Sequence, residues 1–176
     1  MDYFKALQTS HDASPERTHS PLPLPQDKKD VGAAISYIQH TCNDLYFSSD
    51  SDEPVELYQL SNTGLKALES DIDKLALPSA RDFAVFVAGE HVMGEEGFVA
   101  EKKDVRGFFD RLTKQQITER QRQLAQSLEA LFGSLATGPG TTSACYRVGI
   151  APNIEVYVVM LVDGQVIGIK TLSVET

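Results

Sequence analysis

The stretch Ile154-Glu-Val-Tyr-Val-Val-Met-Leu-Val162, then Asp163-Gly164, then Gln165-Val-Ile-Gly-Ile-Lys-Thr-Leu-Ser-Val-Glu-Thr176 decides the fold. Asp-Gly between two β-branched runs is the strongest local signal for a two-residue hairpin turn, because a type I′ turn needs positive φ at both positions. The turn fixes a register in which Met160 faces Ile167, Val158 faces Ile169 and Val156 faces Thr171. On the other face Val159 meets Gly168 and Tyr157 meets Lys170. Both faces are largely apolar, so both require cover, which helices supply most readily. A polar end, Glu175-Thr176, carried by a core strand is held in place and can act as a probe.

Working outward, Asp30 is a helix cap, and Val31, Ala34, Ile35, Ile38, Cys42 and Leu45 follow at helical spacing. Leu45-Tyr46-Phe47 is expected to be buried, and 48–54 to be a polar loop closed by Pro54. Val55–Leu60 reads as the first strand and 64–77 as weakly helical. Phe83–Ala88 reads as a second strand, 89–97 as a loop and Phe98–Ala100 as a short strand. Val105, Phe108, Phe109 and Leu112 mark a short helix. Thr113-Lys-Gln-Gln116 then has the form of a capping box. It predicts a long helix with Ile117, Leu124, Leu128, Leu131 and Leu135 inward, and Arg120, Gln121, Arg122 and Gln126 outward. Gly138-Pro-Gly140 ends that helix. The expected class is α+β, an α/β/α sandwich with a mostly antiparallel central sheet.

Residues 1–30 carry four prolines with Ser, Thr and His, and read as a disordered tail before a domain at 31–176. Pro21-Leu-Pro-Leu-Pro25 favours extended polyproline backbone and is also a possible ligand for a proline-binding module. Asp2–Leu7 has the makings of one helical turn, and His11 and His19 fall in the same tail.

The 176 residues carry a formal net charge of −9. The composition lacks the basic stripe that direct nucleic-acid binding needs, and favours a basic partner instead. Cys42 and Cys145 have no metal-ligand spacing and read as two buried, reduced thiols. No apolar leader and no run near the ~20 residues of a membrane span occur, which predicts a cytoplasmic protein without membrane contact.

No catalytic constellation stands out. His91 beside Glu90, Glu95 and Glu96 is the one candidate base or ligand, and would make a small hydrolase; solvated loop residues are the plainer reading. Gly94, Gly97 and Gly107 form no phosphate loop, and no nucleophile elbow is present. The acidic stretch is more informative. Asp44, Asp50, Asp52, Glu53 and Glu56 follow one another without a base. Asp50-Ser-Asp-Glu resembles part of a calcium loop but lacks its glycine and distant glutamate. The remaining readings are a solvated loop or an acidic finger offered to a partner's basic or metal-containing cleft.

At this point a family resemblance emerges. Leu45-Tyr-Phe-Ser-Ser-Asp-Ser-Asp-Glu-Pro-Val-Glu56 resembles the early motif of the nuclease A inhibitor family (NuiA-like proteins). Cys145-Tyr-Arg-Val-Gly149, Glu155-Val-Tyr-Val158 and Thr171-Leu-Ser-Val-Glu-Thr176 resemble its closing strands, and Asp104-Val-Arg-Gly-Phe-Phe-Asp-Arg111 with Thr113 and Gln116 also fits. The likeness covers about 31–60 and 104–176, while 61–103 matches poorly.

The resemblance implies a sandwich similar to plant pathogenesis-related class 1 proteins. It also implies an inhibitor, without catalysis, cofactor or metal of its own, of a sugar-nonspecific DNA/RNA endonuclease carrying Mg²⁺. By the same resemblance Asp50, Gln116 and the C-terminal Thr176 reach the nuclease active site, with Thr176 at the partner's metal. Asp50 stands where the family inhibitor has the longer glutamate. Asp52, Glu53 and Glu175 complete the expected contact set. The alternative is an interaction module of the same fold that no longer binds a nuclease.

Overall fold

The computed structural model describes residues 23–27, 30–60, 77–135 and 143–175. Most of the expected tail, nearly all of the 64–77 helix, Gly138-Pro-Gly140 and Thr176 lie outside the described residues.

The terminal hairpin forms as its sequence dictates. Strands β6 (Asn153–Val162) and β7 (Gln165–Val174) pair through the whole expected register, Met160 with Ile167 and Val156 with Thr171 among them. The turn has φ of 46° at Asp163 and 73° at Gly164. Around this pair a five-stranded antiparallel sheet is completed by β3 (Glu56–Gln59), β4 (Phe98–Lys103) and β5 (Ser143–Ile150), in the order β3-β7-β6-β5-β4.

Among the described residues three helices cover one face: α1 (Val31–Cys42), α3 (Val105–Gln115) and α4 (Glu119–Leu135). Their buried side chains, Ile38, Phe109 and Leu128 among them, meet Val156, Val158 and Met160. The alternate residues of the same strands, Tyr157, Val159 and Leu161, meet Phe83 and Ala84 of α2 (Ala80–Ala88) on the other face. The strand period of two thus fills two apolar layers from one hairpin. Cys42 and Cys145 are buried free thiols, and burial pushes Cys145 up to about 11.

Five expectations change. Phe83–Ala88 is helical, because Ser79 caps the segment. The Ser79 hydroxyl accepts from the Asp82 N–H at 3.2 Å, and Gly89, at φ 88°, closes the far end with its N–H on Val85 O at 2.9 Å. The capping box lies five residues beyond its expected place. Thr113 is still within α3, whereas Thr118 and Gln121 bond reciprocally at the start of α4, at 3.2 Å and 3.1 Å. Ile117 therefore falls in the corner between helices, 87% exposed rather than inward. The loop 48–54 is a hairpin, β1 (Tyr46–Ser48) with β2 (Asp52–Pro54). Its alternation buries Phe47 and turns Tyr46 outward, at 46% exposure.

Candidate functional site

The β1–β2 hairpin has a tip of two serines flanking Asp50, and serine hydroxyls hold its acids. Ser48 Oγ donates to Asp52 and Ser51 Oγ donates to Glu53 at 2.7 Å. The tip does not stand free. The Asp50 N–H donates to Val174 O at 3.0 Å, and the Val174 N–H donates to Ser49 Oγ at 2.8 Å. Thr171 Oγ1 adds a bond to Pro54 O at 3.0 Å. The hairpin thereby takes over the outer edge of β7 where β3 stops pairing, since β3 reaches only Lys170.

Side chains close the hairpin's far edge. Gln115 donates to Ser48 O and accepts from the Ser48 N–H at 3.3 Å. Gln116 Nε2 donates to Tyr46 O at 2.7 Å and to Leu112 O at 2.9 Å. Arg111 donates to Ser48 O at 3.1 Å and lies over the Phe47 ring at 4.7 Å. Phe47 in turn stacks on Phe108 at 5.3 Å.

The last described residue of β7's extension is fixed three ways. Its N–H donates to Pro152 O at 2.8 Å, Ser173 Oγ donates to its carboxylate at 2.9 Å, and Arg147 pairs with the same oxygen. That residue is Glu175. Arg147, on β5, also grips Glu101 of β4 at 2.8 Å. The Ser173 hydrogen bond, then Arg147, hold the Glu175 carboxyl below its ordinary value, and Lys103, then Arg147, do the same for Glu101. Burial works against the Arg147 charge, but the two carboxylates outweigh it and raise its pKa.

Both carboxyl pKa values are depressed in the fold. Their contribution is therefore fully present above the ordinary carboxylate range and is lost as the pH falls through the depressed values. Thermal unfolding of the native chain and of Arg147→Gln is expected to differ most at neutral pH. The gap in Tm narrows as the pH drops below about 4.

Asp50 and Glu175 thus border one open polar recess of about 420 Å³, together with Ser49, Val174 and Arg111. The other expected site residues are spread out. Asp52 is exposed on β2, and Glu53 borders a separate recess of about 200 Å³ with Glu56, Glu155 and Lys170. Gln116 is only 7% exposed, and its amide nitrogen is occupied with backbone. Its neighbour Gln115 lies half-buried on the tip side, a placement that only the phase of α3's last turn reveals. Thr176 lies outside the described residues.

Bases that are distant in the chain answer the acidic run: Arg120 meets Asp44 at 2.8 Å and Lys170 meets Glu56 at 4.0 Å. His91, Glu95 and Glu96 are exposed around a 3-10 turn on the α2 side. Among the described residues no hydrogen bond or ion pair joins His91 to Glu95 or Glu96, and no group of three or more His, Cys, Asp or Glu is placed to hold a metal ion.

The chain thus presents an acidic hairpin tip bonded to the end of its terminal strand on an α/β/α support. A family model described as nuclease A inhibitor-like protein matches residues 33–176, including the stretch 61–103. The chain belongs to that family. Membership supports a nuclease-inhibitor role in general and points to a non-enzymatic protein with a nuclease as partner. No curated protein with a matching sequence was found. Among the described residues no helix is long and apolar enough to cross a membrane.

Proposed function

We propose that this protein inhibits a sugar-nonspecific, Mg²⁺-dependent DNA/RNA endonuclease by placing its hairpin tip and strand end in the active site. The supporting observation is the pair of bonds between the tip and Val174, which makes Asp50 and Glu175 neighbours on one rigid unit. A nuclease cleft is basic and holds a hard cation with exchangeable waters, so carboxylate and hydroxyl oxygens suit it. Asp50 and Glu175 supply the first, and Thr176, next in the chain, supplies a hydroxyl toward the partner's metal. Asp52 and Glu53 extend the negative field that steers a basic partner. Gln116 acts through Tyr46 by holding β1 in place, and Gln115 is the amide nearer the contact.

The test is plasmid cleavage by such a nuclease with three proteins: the native chain, Asp50→Asn, and a chain extended by six histidines after Thr176. All three are expected to give the same circular dichroism. The native chain is expected to inhibit stoichiometrically. Asp50→Asn is expected to be about ten-fold weaker, the scale of one charge-assisted hydrogen bond, and the extended chain weaker still. Equal inhibition by the extended and native chains removes Thr176 from the site. No inhibition by any of them favours an interaction module that has left nuclease binding behind.

A further inference from the structure

A third cavity, of about 330 Å³, lies between α3, β1 and the sheet. Its walls are apolar: Phe47, Phe108, Cys145 and Val156, all of them core residues. Its volume falls at the small end of the range for ligand sites, roughly 300–1,000 Å³. Three cations border it, Lys103, Arg111 and Arg147, on a chain whose net charge is −9. The one acid among the described lining residues, Asp104, is engaged as the cap of α3, accepting the Gly107 N–H at 3.2 Å.

The state of these cations indicates what they bind. Arg147 and Ser173, both on the lining, hold the carboxylate of Glu175, so this rim already accommodates a carboxylate. Among the described residues Arg111 makes one hydrogen bond, to Ser48 O, and no carboxylate forms an ion pair with it, although its charge acts on Glu175 across the neighbouring recess. Most of its planar fork of donors is left for an anion, and a fork of this kind matches a carboxylate in geometry.

We propose that this cavity binds a medium-chain fatty acid or a carboxylate of similar size and shape, with its head on Arg111 and its apolar body along the wall formed by the stacked Phe47 and Phe108 rings and Val156. The cavity adjoins the Asp50–Glu175 recess of the proposed nuclease contact and shares Arg111 with it, but its ligand is not the nuclease.

The full chain, labelled with ¹⁵N, is titrated with sodium octanoate below its micelle concentration. Saturable one-to-one shifts are expected at the amides of Gly107, Cys145, Val156 and Ser173. Octylamine and octan-1-ol, of equal chain length, are expected to bind about ten-fold more weakly or not at all, because each lacks the charge-assisted bonds. Arg111→Gln is expected to lose about the same factor. Gly107→Leu is the second variant. A Cβ there has nothing within 4 Å, and leucine is favoured over glycine in a helix, so the protein folds while the mouth of the cavity fills. Octanoate binding is expected to disappear. Absence of saturable shifts, equal binding of octylamine, or unchanged binding by Gly107→Leu each overturns the proposal.

Discussion

Replacing Gly168 by alanine is expected to destabilise the protein by about 3 kcal/mol or more, or to leave it unfolded. Gly168 sits in the middle of β7 opposite Val159. A Cβ built on it falls onto the Val158 carbonyl oxygen and within 2.8 Å of Val159 Cα. Both are backbone atoms of the central strand, so no rotamer change relieves the contact, and β6 and β7 must separate where both apolar layers meet. Urea unfolding followed by circular dichroism measures the loss. Gly94→Ala is the control, since a Cβ there meets nothing within 4 Å, and it is expected to stay within roughly ±0.5 kcal/mol. A Gly168→Ala protein as stable as that control would show that β7 slides without cost.

Phe83→Ala is the second large effect, expected at about 3–5 kcal/mol. The Phe83 ring stacks on Tyr146 at 4.1 Å and meets Tyr157 edge-on at 5.2 Å. It is 1% exposed, and it is the main side chain by which α2 grips the sheet. Tyr146 is fixed in turn by its hydroxyl, which donates to Pro78 O at 2.7 Å just ahead of α2. Phe86, three residues along and only partly buried, is expected to cost less than half as much on replacement by alanine. If the two substitutions cost the same, the inward face of α2 is not the one described.

Much of the scaffold was legible because local signals carried it. Asp163-Gly164 set the register of the two longest strands, and Asp30 marked the start of α1 through the bond from Ala33 N–H at 2.9 Å. The error at 83–88 came from weighing an apolar run above its punctuation: Ser79 ahead of the helix, Asp82 in its first turn and Gly89 behind it are all helix-boundary signals. The displaced capping box has a different cause. Thr113-Lys-Gln-Gln116 and Thr118-Glu-Arg-Gln121 share one pattern, and only the length of α3 decides between them. Thr113 ends within that helix, its buried hydroxyl without a hydrogen-bond partner among the described residues.

The candidate site was less legible, because its defining contacts span most of the chain. No local pattern in Ser49-Asp50 announces that it will meet Val174, or that Arg147 will reach both Glu101 and Glu175. The resemblance supplied Asp50, Gln116 and Thr176 as contact residues; packing adds Ser49, Arg111 and Arg147, which lie in the resembling motifs but had no role assigned there.

The glutamines beside β1 have one more consequence. A two-stranded ribbon at the surface ordinarily offers its unpaired N–H and C=O groups to any other extended chain, and so invites sheet-to-sheet aggregation. Here the Ser48 N–H, Ser48 O and Tyr46 O face Gln115 and Gln116. Two side-chain amides from one helix terminus stand in for a neighbouring strand. The ribbon can therefore project its acids from the protein surface without becoming a template on which further copies stack.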